Sequence, residues 1–252
     1  MTKLSAVIIS YNEADRIGEC VRRASFCDEV LVVDSHSSDG TREIAAAAGA
    51  RVIDRDWPGF RSQKEFALRA AKHDWVLSLD ADEFVSPALR NEIETLRADG
   101  FPMFAGWNMP RQLEYFGKYL RYGLTYPDRH LRLVDRRRGG WRGREVHEYL
   151  DVEGNIGRLR CDLHHHAYRG LSHQVSKLER YAELMAKELH GAGKSAGMGK
   201  ILLRPLWRFV SGYIFRLGFL DGWRGLVLSL IEANYVRQKY LKLFLLKRGQ
   251  PL

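Results

Sequence analysis

Residues 73–83 read HDWVLSLDADE and combine a strand pattern with a cluster of acids. The apolar run Val76–Leu79 is typical of a buried central strand, and three carboxylates follow it at once: Asp80, Asp82 and Glu83. In open α/β sheets, ligands bind just beyond the carboxyl ends of the strands. Acids two positions apart on a strand point the same way, and two such carboxylates suit Mg²⁺ or Mn²⁺. The stretch predicts a metal site at a strand end; a solvated turn is the alternative for so short a motif.

The chain before this stretch alternates between strand and helix patterns. Strands are predicted at residues 4–10, 29–33, 50–54 and in the run into Asp80, and helices at 14–24, 42–48 and 61–72. Alternation of this kind is typical of βαβ units, which build a parallel sheet. Because parallel strands end at one edge of the sheet, the loops after these strands are expected to form one site.

These loops suit a nucleotide. Tyr11 can stack on a base, although it could instead cover the sheet edge. Asp34 or Asp39 can accept a hydrogen bond from a base N–H or a ribose hydroxyl, although Asp39 with Gly40 could also be only a turn and helix cap. Arg61 or Lys64 can meet phosphate charge. The sequence contains neither GxGxxG after the first strand nor GxxxxGK[ST], which disfavours dinucleotide oxidoreductases and P-loop enzymes.

Three segments in this order resemble one family: SAVIISYNEADRI (5–17), EVLVVDSHSSDGT (29–41) and WVLSLDADE (75–83). They resemble the family 2 glycosyltransferases, which are inverting enzymes of the GT-A fold. Later segments resemble the branch that includes the lipopolysaccharide inner-core β-glucosyltransferases. These segments are RHLRLVDRR (129–137), VHEYL (146–150), HHHAYR (164–169), KLERYAELMA (177–186) and RFVSGYIFRLGFLDGWRGL (208–226). The resemblance implies an α/β fold with a Rossmann-like, mostly parallel sheet, helices on both faces, and a C-terminal amphipathic helical extension.

The resemblance also assigns roles in nucleotide binding. It places Tyr11, Asn12 and Glu13 in the base-binding turn, and Asp34 and Asp39 at the uracil or ribose.

Further roles concern the phosphates and the metal. Asp80 would support the nucleotide sugar, Asp82 would bind Mn²⁺ or Mg²⁺, and Lys64 would be a phosphate-side cation. The family often carries Gln-Arg/Lys-Asn before the acidic motif. Here Glu65 takes the third position, which puts any contact from that position in doubt. His165 is expected to complete the metal coordination or to meet the diphosphate, the alternative being a structural histidine.

Inverting transfer needs a carboxylate that takes the proton of the acceptor hydroxyl, a contribution of about 10²–10⁴-fold in rate. The candidates after the metal motif are Glu114, Asp128, Glu145 and Glu148. Glu148 is preferred because it ends the Val-His-Glu that the resemblance aligns, and Glu145 is second. Alternatively, Glu148 pairs with Arg142 or Arg144 and only orders the loop. Arg129 and Arg132 are candidates for contacts with anionic groups of the acceptor.

Charge is concentrated at the C-terminal end. Residues 200–252 contain ten Lys or Arg and only two acids, so they carry +8 of the net charge of +9. Their apolar runs are broken by arginines and are shorter than the roughly 18–20 residues that a spanning helix needs. Trp, Phe and Leu mixed with cations favour helices lying in the membrane interface and attracted by anionic lipids. A helical hairpin packed on the sheet or on a second subunit is the alternative, and a homo-oligomer stays open.

We therefore expect residues 1–190 to form the glycosyltransferase domain and residues 191–252 a basic helical extension. Three unpaired cysteines and the lack of a signal peptide indicate the cytoplasm, at the inner face of the cell membrane. The expected reaction moves a hexose, by resemblance glucose, from a UDP-sugar to a lipid-linked saccharide, the heptose of lipopolysaccharide inner core. A polyprenyl-phosphate-linked or protein acceptor is the nearer alternative, and a non-catalytic basic binding protein the more distant one. Nucleic acid is not an expected partner, because the aromatic and cationic residues lie on helical apolar faces.

Overall fold

The computed structural model describes residues 1–144 and 147–252 of the chain. It divides them into two compact units, one formed by residues 1–112 and 128–165 and the other by residues 113–127 and 166–252. The expected domain boundary after residue 190 stays a prediction.

The first unit begins with the predicted parallel strands. They are β1 (Leu4–Ser10), β2 (Glu29–Asp34), β3 (Arg51–Asp54) and β4 (Trp75–Asp80). They pair in the order β3-β2-β1-β4, and each pair is parallel. The connecting helices are α1 (Ile17–Ala24), α2 (Thr41–Ala47) and α3 (Phe60–Ala70). Both the strands and the helices that the sequence predicted in this region are confirmed.

Further strands follow, and most of their pairings are antiparallel. They are β5 (Glu83–Val85), β6 (Gly106–Tyr115), β7 (Lys118–Tyr119), β8 (Asp128–Asp135), β9 (Gly139–Arg144), β10 (His147–Val152), β11 (Ile156–Arg158) and β12 (Leu163–His165). Antiparallel β8 pairs with β4, and β12 pairs with β5. Strands β9 and β10 pair with each other in a separate two-stranded sheet. Helix α4 (Pro87–Ala98) follows β5, and its N-cap Ser86 accepts a hydrogen bond from the Leu89 N–H at 3.1 Å.

Side chains of the central strand alternate between two apolar cores. Ala6 and Ile8 of β1 pack with Val21 of α1, whereas Val7 packs with Leu68 of α3. Helices thus cover both faces of the sheet, which confirms the expected fold class. The carboxyl ends of β1, β2 and β4 meet at one edge, where the candidate site lies.

The second unit is mostly helical. It contains α5 (Leu171–Gly191), α6 (Met198–Val210), a π-helical turn (Ser211–Phe215), a 3-10 turn (Gly218–Asp221) and α7 (Trp223–Leu246). Asp221 ties the C-terminal part of this unit to residues 113–127, because its carboxylate accepts the N–H groups of Arg121 and Tyr122, both at 3.0 Å. The expected helical extension is confirmed. Within residues 1–144 and 147–252, no helix combines the length and apolarity needed to cross a bilayer.

Candidate active site at the carboxyl edge of the parallel strands

The loops that follow β1 and β2 are joined by a buried carboxylate. Asp34 is fully buried and accepts hydrogen bonds from Ser10 Oγ at 2.7 Å, Ser37 N at 2.7 Å and Ser37 Oγ at 2.6 Å. Asn12 connects the same loops, since its N–H donates to Ser37 Oγ at 2.8 Å and its Oδ1 accepts from Ser38 N at 3.0 Å. These bonds fix the loops before any ligand arrives. A contact of Asp34 with uracil or ribose stays a prediction.

Asp39 lies in the loop after β2 and binds the backbone at the start of α2. Its carboxylate accepts hydrogen bonds from the backbone N–H groups of Thr41 and Ala14, both at 3.1 Å. Burial raises the pKa of Asp39, but these bonds and the bond from the Thr41 hydroxyl outweigh burial and lower that pKa. The turn that the sequence left open is therefore present, although the N-cap residue of α2 is Gly40 and Asp39 lies just before it. A nucleotide contact of Asp39 stays a prediction, as does one of Glu13.

Tyr11 stands next to these loops with 60% of its surface exposed. An exposed ring on a fixed turn can receive a planar base by stacking. This geometry is compatible with the predicted role of Tyr11.

Lys64 joins three separate elements at the sheet edge. It belongs to α3, and its buried Nζ lies 2.9 Å from Asp80 Oδ1 at the end of β4 and 3.0 Å from Glu148 Oε1 on β10. The ring of Trp141 on β9 covers the ammonium at 4.7 Å. Three residues that the sequence analysis selected are thus brought together. Among the described side chains, Glu148 is paired with Lys64.

A second buried cation faces the same carboxylate. Arg132 Nη2 lies 2.9 Å from Asp80 Oδ2 and 2.6 Å from Glu83 Oε1, while Glu83 Oε2 accepts the Asp80 N–H at 3.1 Å. Burial alone would raise the pKa of Asp80, but Lys64 and Arg132 outweigh it and hold that pKa well below its usual range. Asp80 is therefore a fixed anion between two cations.

The network extends to two residues whose part in it the sequence analysis did not predict, Glu83 and Arg111. Arg111 on β6 lies 3.2 Å from Glu83 Oε1 and 2.6 Å from Asp128 Oδ2. Burial raises the pKa of Asp128, but His130 and Arg111 hold it below its ordinary range, which makes Asp128 a poor proton acceptor. The first, third and fifth positions of β8 are charged or titratable residues: Asp128, His130 and Arg132. In the sequence, this period of two was the available signal that their side chains point the same way.

The remaining candidates for the catalytic base are Glu114 and Glu145. Glu114 belongs to the second unit, where it accepts the Gly117 N–H in a turn. Glu145 lies outside the described residues.

Asp82 and His165 form a separate pair. Strand β4 ends at Asp80, so Asp82 lies in the following turn, and its Oδ2 is 3.5 Å from His165 Nε2. The pairing of β12 with β5 brings His165 to this turn, because His165 is opposite Glu83. Among the described residues no group of three or more potential metal ligands occurs. One carboxylate and one imidazole fit a divalent cation that takes its other ligands from a diphosphate and water, as Mg²⁺ usually does. The metal role of both residues stays a prediction.

Comparison with known proteins identifies the class. Residues 5–153 match the family described as Glycosyl transferase family 2. An uncharacterized glycosyltransferase of Rickettsia felis is 32% identical over 267 residues, which cover 98% of this chain and 92% of that protein. The lipopolysaccharide core biosynthesis glycosyltransferase LpsC of Rhizobium meliloti is 31% identical over 259 residues, covering 94% and 93%.

Two solved structures are also similar. The structure of S. aureus TarS 1–349 in complex with UDP-GlcNAc has a TM-score of 0.49 at 14% identity, covering 99% of this chain and 93% of that one. Glucosyl-3-phosphoglycerate synthase from Mycobacterium tuberculosis, in complex with Mg²⁺ and UDP, has a TM-score of 0.48 at 17% identity, covering 78% and 81%. Both scores are below 0.5, and the strand order itself defines the fold.

The class is thus a sugar-transferring enzyme built on a Rossmann-like sheet. The chain belongs to glycosyl transferase family 2 and is a glycosyltransferase, as the resemblance of its three N-terminal segments predicted.

Proposed function

We propose that this glycosyltransferase moves a hexose, glucose by resemblance, from a UDP-sugar to a lipid-linked saccharide, with inversion at the anomeric carbon. The observation that carries the proposal is the meeting of Glu148, Lys64 and Asp80 at the sheet edge where the loops carrying Tyr11 and Asp34 also end. In this arrangement Glu148, the proton acceptor, lies beside the ion pair of Lys64 with Asp80 and at the same sheet edge as the loops that Asp34 joins.

On the donor side, Tyr11 receives the uracil ring by stacking, and the loops fixed by Asp34 and Asp39 surround the ribose. Asp82 and His165 would hold the divalent cation. Mn²⁺ or Mg²⁺ bound there supplies the positive charge that stabilises the leaving UDP. Asp80, itself held by Lys64 and Arg132, positions the nucleotide sugar.

On the acceptor side, Glu148 takes the proton of the attacking hydroxyl. The hydroxyl oxygen forms a bond to the anomeric carbon while the bond from that carbon to the diphosphate oxygen breaks, and the electron pair leaves with UDP. Lys64 Nζ holds Glu148 Oε1 at 3.0 Å, so Oε2 is the oxygen that accepts the proton. We assign Lys64 this orienting part in addition to the phosphate-side role expected from the sequence.

The acceptor proposal is supported by the similarity to LpsC along 94% of the chain. A lipopolysaccharide core is a lipid-linked saccharide, and the expected acceptor group is a heptose of its inner region. Such an acceptor requires the enzyme to work at the membrane surface, which we propose to be the inner face of the cell membrane.

The first test measures UDP release from a panel of UDP-sugars with a heptose-containing core acceptor, with and without Mn²⁺ or Mg²⁺. The variants are Glu148→Gln and Asp82→Asn. Asp151→Asn is the matched control, because it neutralises an exposed carboxylate on the same strand as Glu148. We expect metal-dependent release with one donor, a loss of about 10²–10⁴-fold in Glu148→Gln, and no loss in the control.

Two results would overturn parts of the proposal. Full activity in Glu148→Gln would remove Glu148 as the base. Turnover that is unaffected by chelators and by Asp82→Asn would remove the metal assignment.

A further inference from the structure

The helical unit exposes a large amount of apolar surface on one short stretch. Ten large apolar side chains between residues 202 and 223 are at least 44% exposed. We call these ten side chains the apolar surface; they are Leu202, Leu203, Leu206, Trp207, Ile214, Phe215, Leu217, Phe219, Leu220 and Trp223. Large exposed apolar patches are uncommon on monomeric proteins and mark contacts with a partner or a membrane.

Helix α6 contributes one side of the apolar surface. Leu202, Leu203, Leu206 and Trp207 have the spacing i, i+1, i+4 and i+5, which places them on one face, and all four are exposed. Ile201, on the other side of the helix, is buried. The apolar face of α6 is thus turned away from the unit's own core.

The turns after α6 extend the apolar surface with aromatic rings. Phe215 lies 5.8 Å from Trp207 between ring centroids, and Tyr213 contacts Phe219 at 6.3 Å. Leu217 has a φ of 58°, a left-handed conformation that a leucine rarely adopts. The helical turn ends at Phe215, and the side chain of Leu217 beyond it is 44% exposed.

The exposed charges within residues 198–231 have one sign. Asp221 is the one acid between residues 198 and 231, and it is buried at 3% exposure. The same range contains five cations: Lys200, Arg204, Arg208, Arg216 and Arg224. Arg208 pairs with Glu232 at 2.7 Å, whereas Arg204 and Arg216 are exposed. An apolar face with a cationic border is complementary to anionic headgroups over acyl chains.

We propose that the apolar surface docks on an anionic lipid bilayer, with Trp207 and Phe215 in the interface and Arg204 and Arg216 at the headgroups. A second copy of the chain fits less well, because a two-fold contact places the same patch on both sides and so brings the arginines together. Aromatic and basic residues are the usual interfacial anchors.

This inference deepens the proposed function, since a lipid-linked acceptor lies in a membrane. Its test contains no nucleotide sugar and no acceptor, so a failure of docking and a failure of sugar transfer are observed separately.

The experiment is co-sedimentation of the full chain with vesicles of phosphatidylcholine alone or with phosphatidylglycerol added. We expect binding to the anionic vesicles that weakens as salt rises. Arg216→Gln should weaken binding about fivefold. Phe215→Ser should weaken it by about tenfold or more, because a buried phenylalanine side chain is lost from the interface. Leu184→Ser is the matched control: Leu184 on α5 is 49% exposed, like Leu220 of the apolar surface, and its loss should leave binding unchanged.

Thermal unfolding followed by circular dichroism checks that each variant is folded. Equal binding to both kinds of vesicle, or an equal loss in Leu184→Ser, would overturn the proposal. So would a dimer in sedimentation equilibrium that Phe215→Ser dissociates, together with no vesicle binding, since a second copy would then cover the surface. Because Arg216→Gln changes an exposed charge and leaves the packing intact, the proposal stays testable if Phe215→Ser unfolds.

Discussion

Replacing Lys64 with methionine should destabilise the protein, and the effect should depend on pH. The substitution keeps most of the side-chain volume but removes the cation that Asp80 and Glu148 share at 2.9 and 3.0 Å. Breaking a buried ion pair by removing one partner costs roughly 3–5 kcal/mol. Asp80 keeps Arg132 and Glu148 is partly exposed, so we expect the lower end, about 3 kcal/mol at pH 7.

The sign of the pH dependence follows from the direction of the pKa shift. The folded pKa of Asp80 lies below its unfolded value, so its ionised form stabilises the fold above about pH 4. That contribution is lost as the pH falls towards the folded pKa. The variant loses one of the two cations that lower this pKa. The difference in unfolding free energy between wild type and Lys64→Met should therefore shrink below pH 4.

Urea unfolding at pH 7, 4 and 3 measures this difference. Lys72→Met is the control, because Lys72 is exposed just beyond α3 and its loss should change stability by less than about 0.5 kcal/mol. If Lys64→Met loses no more stability than Lys72→Met, or if its deficit does not change with pH, the shared cation does not hold these carboxylates as described.

Three further changes test other parts of the structure. Asp34→Ala should lower the unfolding free energy by about 2–4 kcal/mol in urea, because it leaves buried donors of two serines without their acceptor; a loss below 0.5 kcal/mol would contradict this. Gly139→Ala should cost about 1–3 kcal/mol in the same assay, since its Cβ would overlap the facing strand, whereas Gly199→Ala in α6 has open space and should cost nothing. A disulfide reagent at pH 8 should modify Cys161 of the native protein before the other thiols, because burial and nearby carboxylates raise the pKa of Cys20 well above its ordinary value; rapid reaction of all three thiols would contradict the described core.

Local pattern predicted the parallel half of the sheet well. Strand β1 begins at Leu4 and ends at Ser10 as predicted. A run of apolar residues bounded by polar ones directly indicates a buried strand and both of its ends. The same reasoning located the loops that carry Tyr11, Asp34 and Asp80. Their positions follow from strand ends, which sequence pattern marks directly.

The charge network could not be predicted in this way. Lys64 and Glu148 are 84 positions apart and meet because the β9–β10 hairpin packs near α3. Arg132 reaches Asp80 because β8 pairs antiparallel with β4 in one particular register. Register between distant strands is set by the packing of the whole sheet, and a single sequence contains no local mark of it.

The carboxylate of Asp221 has a consequence for recombining this enzyme with its relatives. It binds backbone groups of residues 121 and 122, so the helical unit consists of two stretches that are far apart in the chain. A chimera that exchanges only the C-terminal helices would combine a foreign carboxylate with a native loop. Exchanges should transfer residues 113–127 and 166–252 as a matched set, and an acceptor preference that resides in the helical unit would then be inherited through three crossovers instead of one.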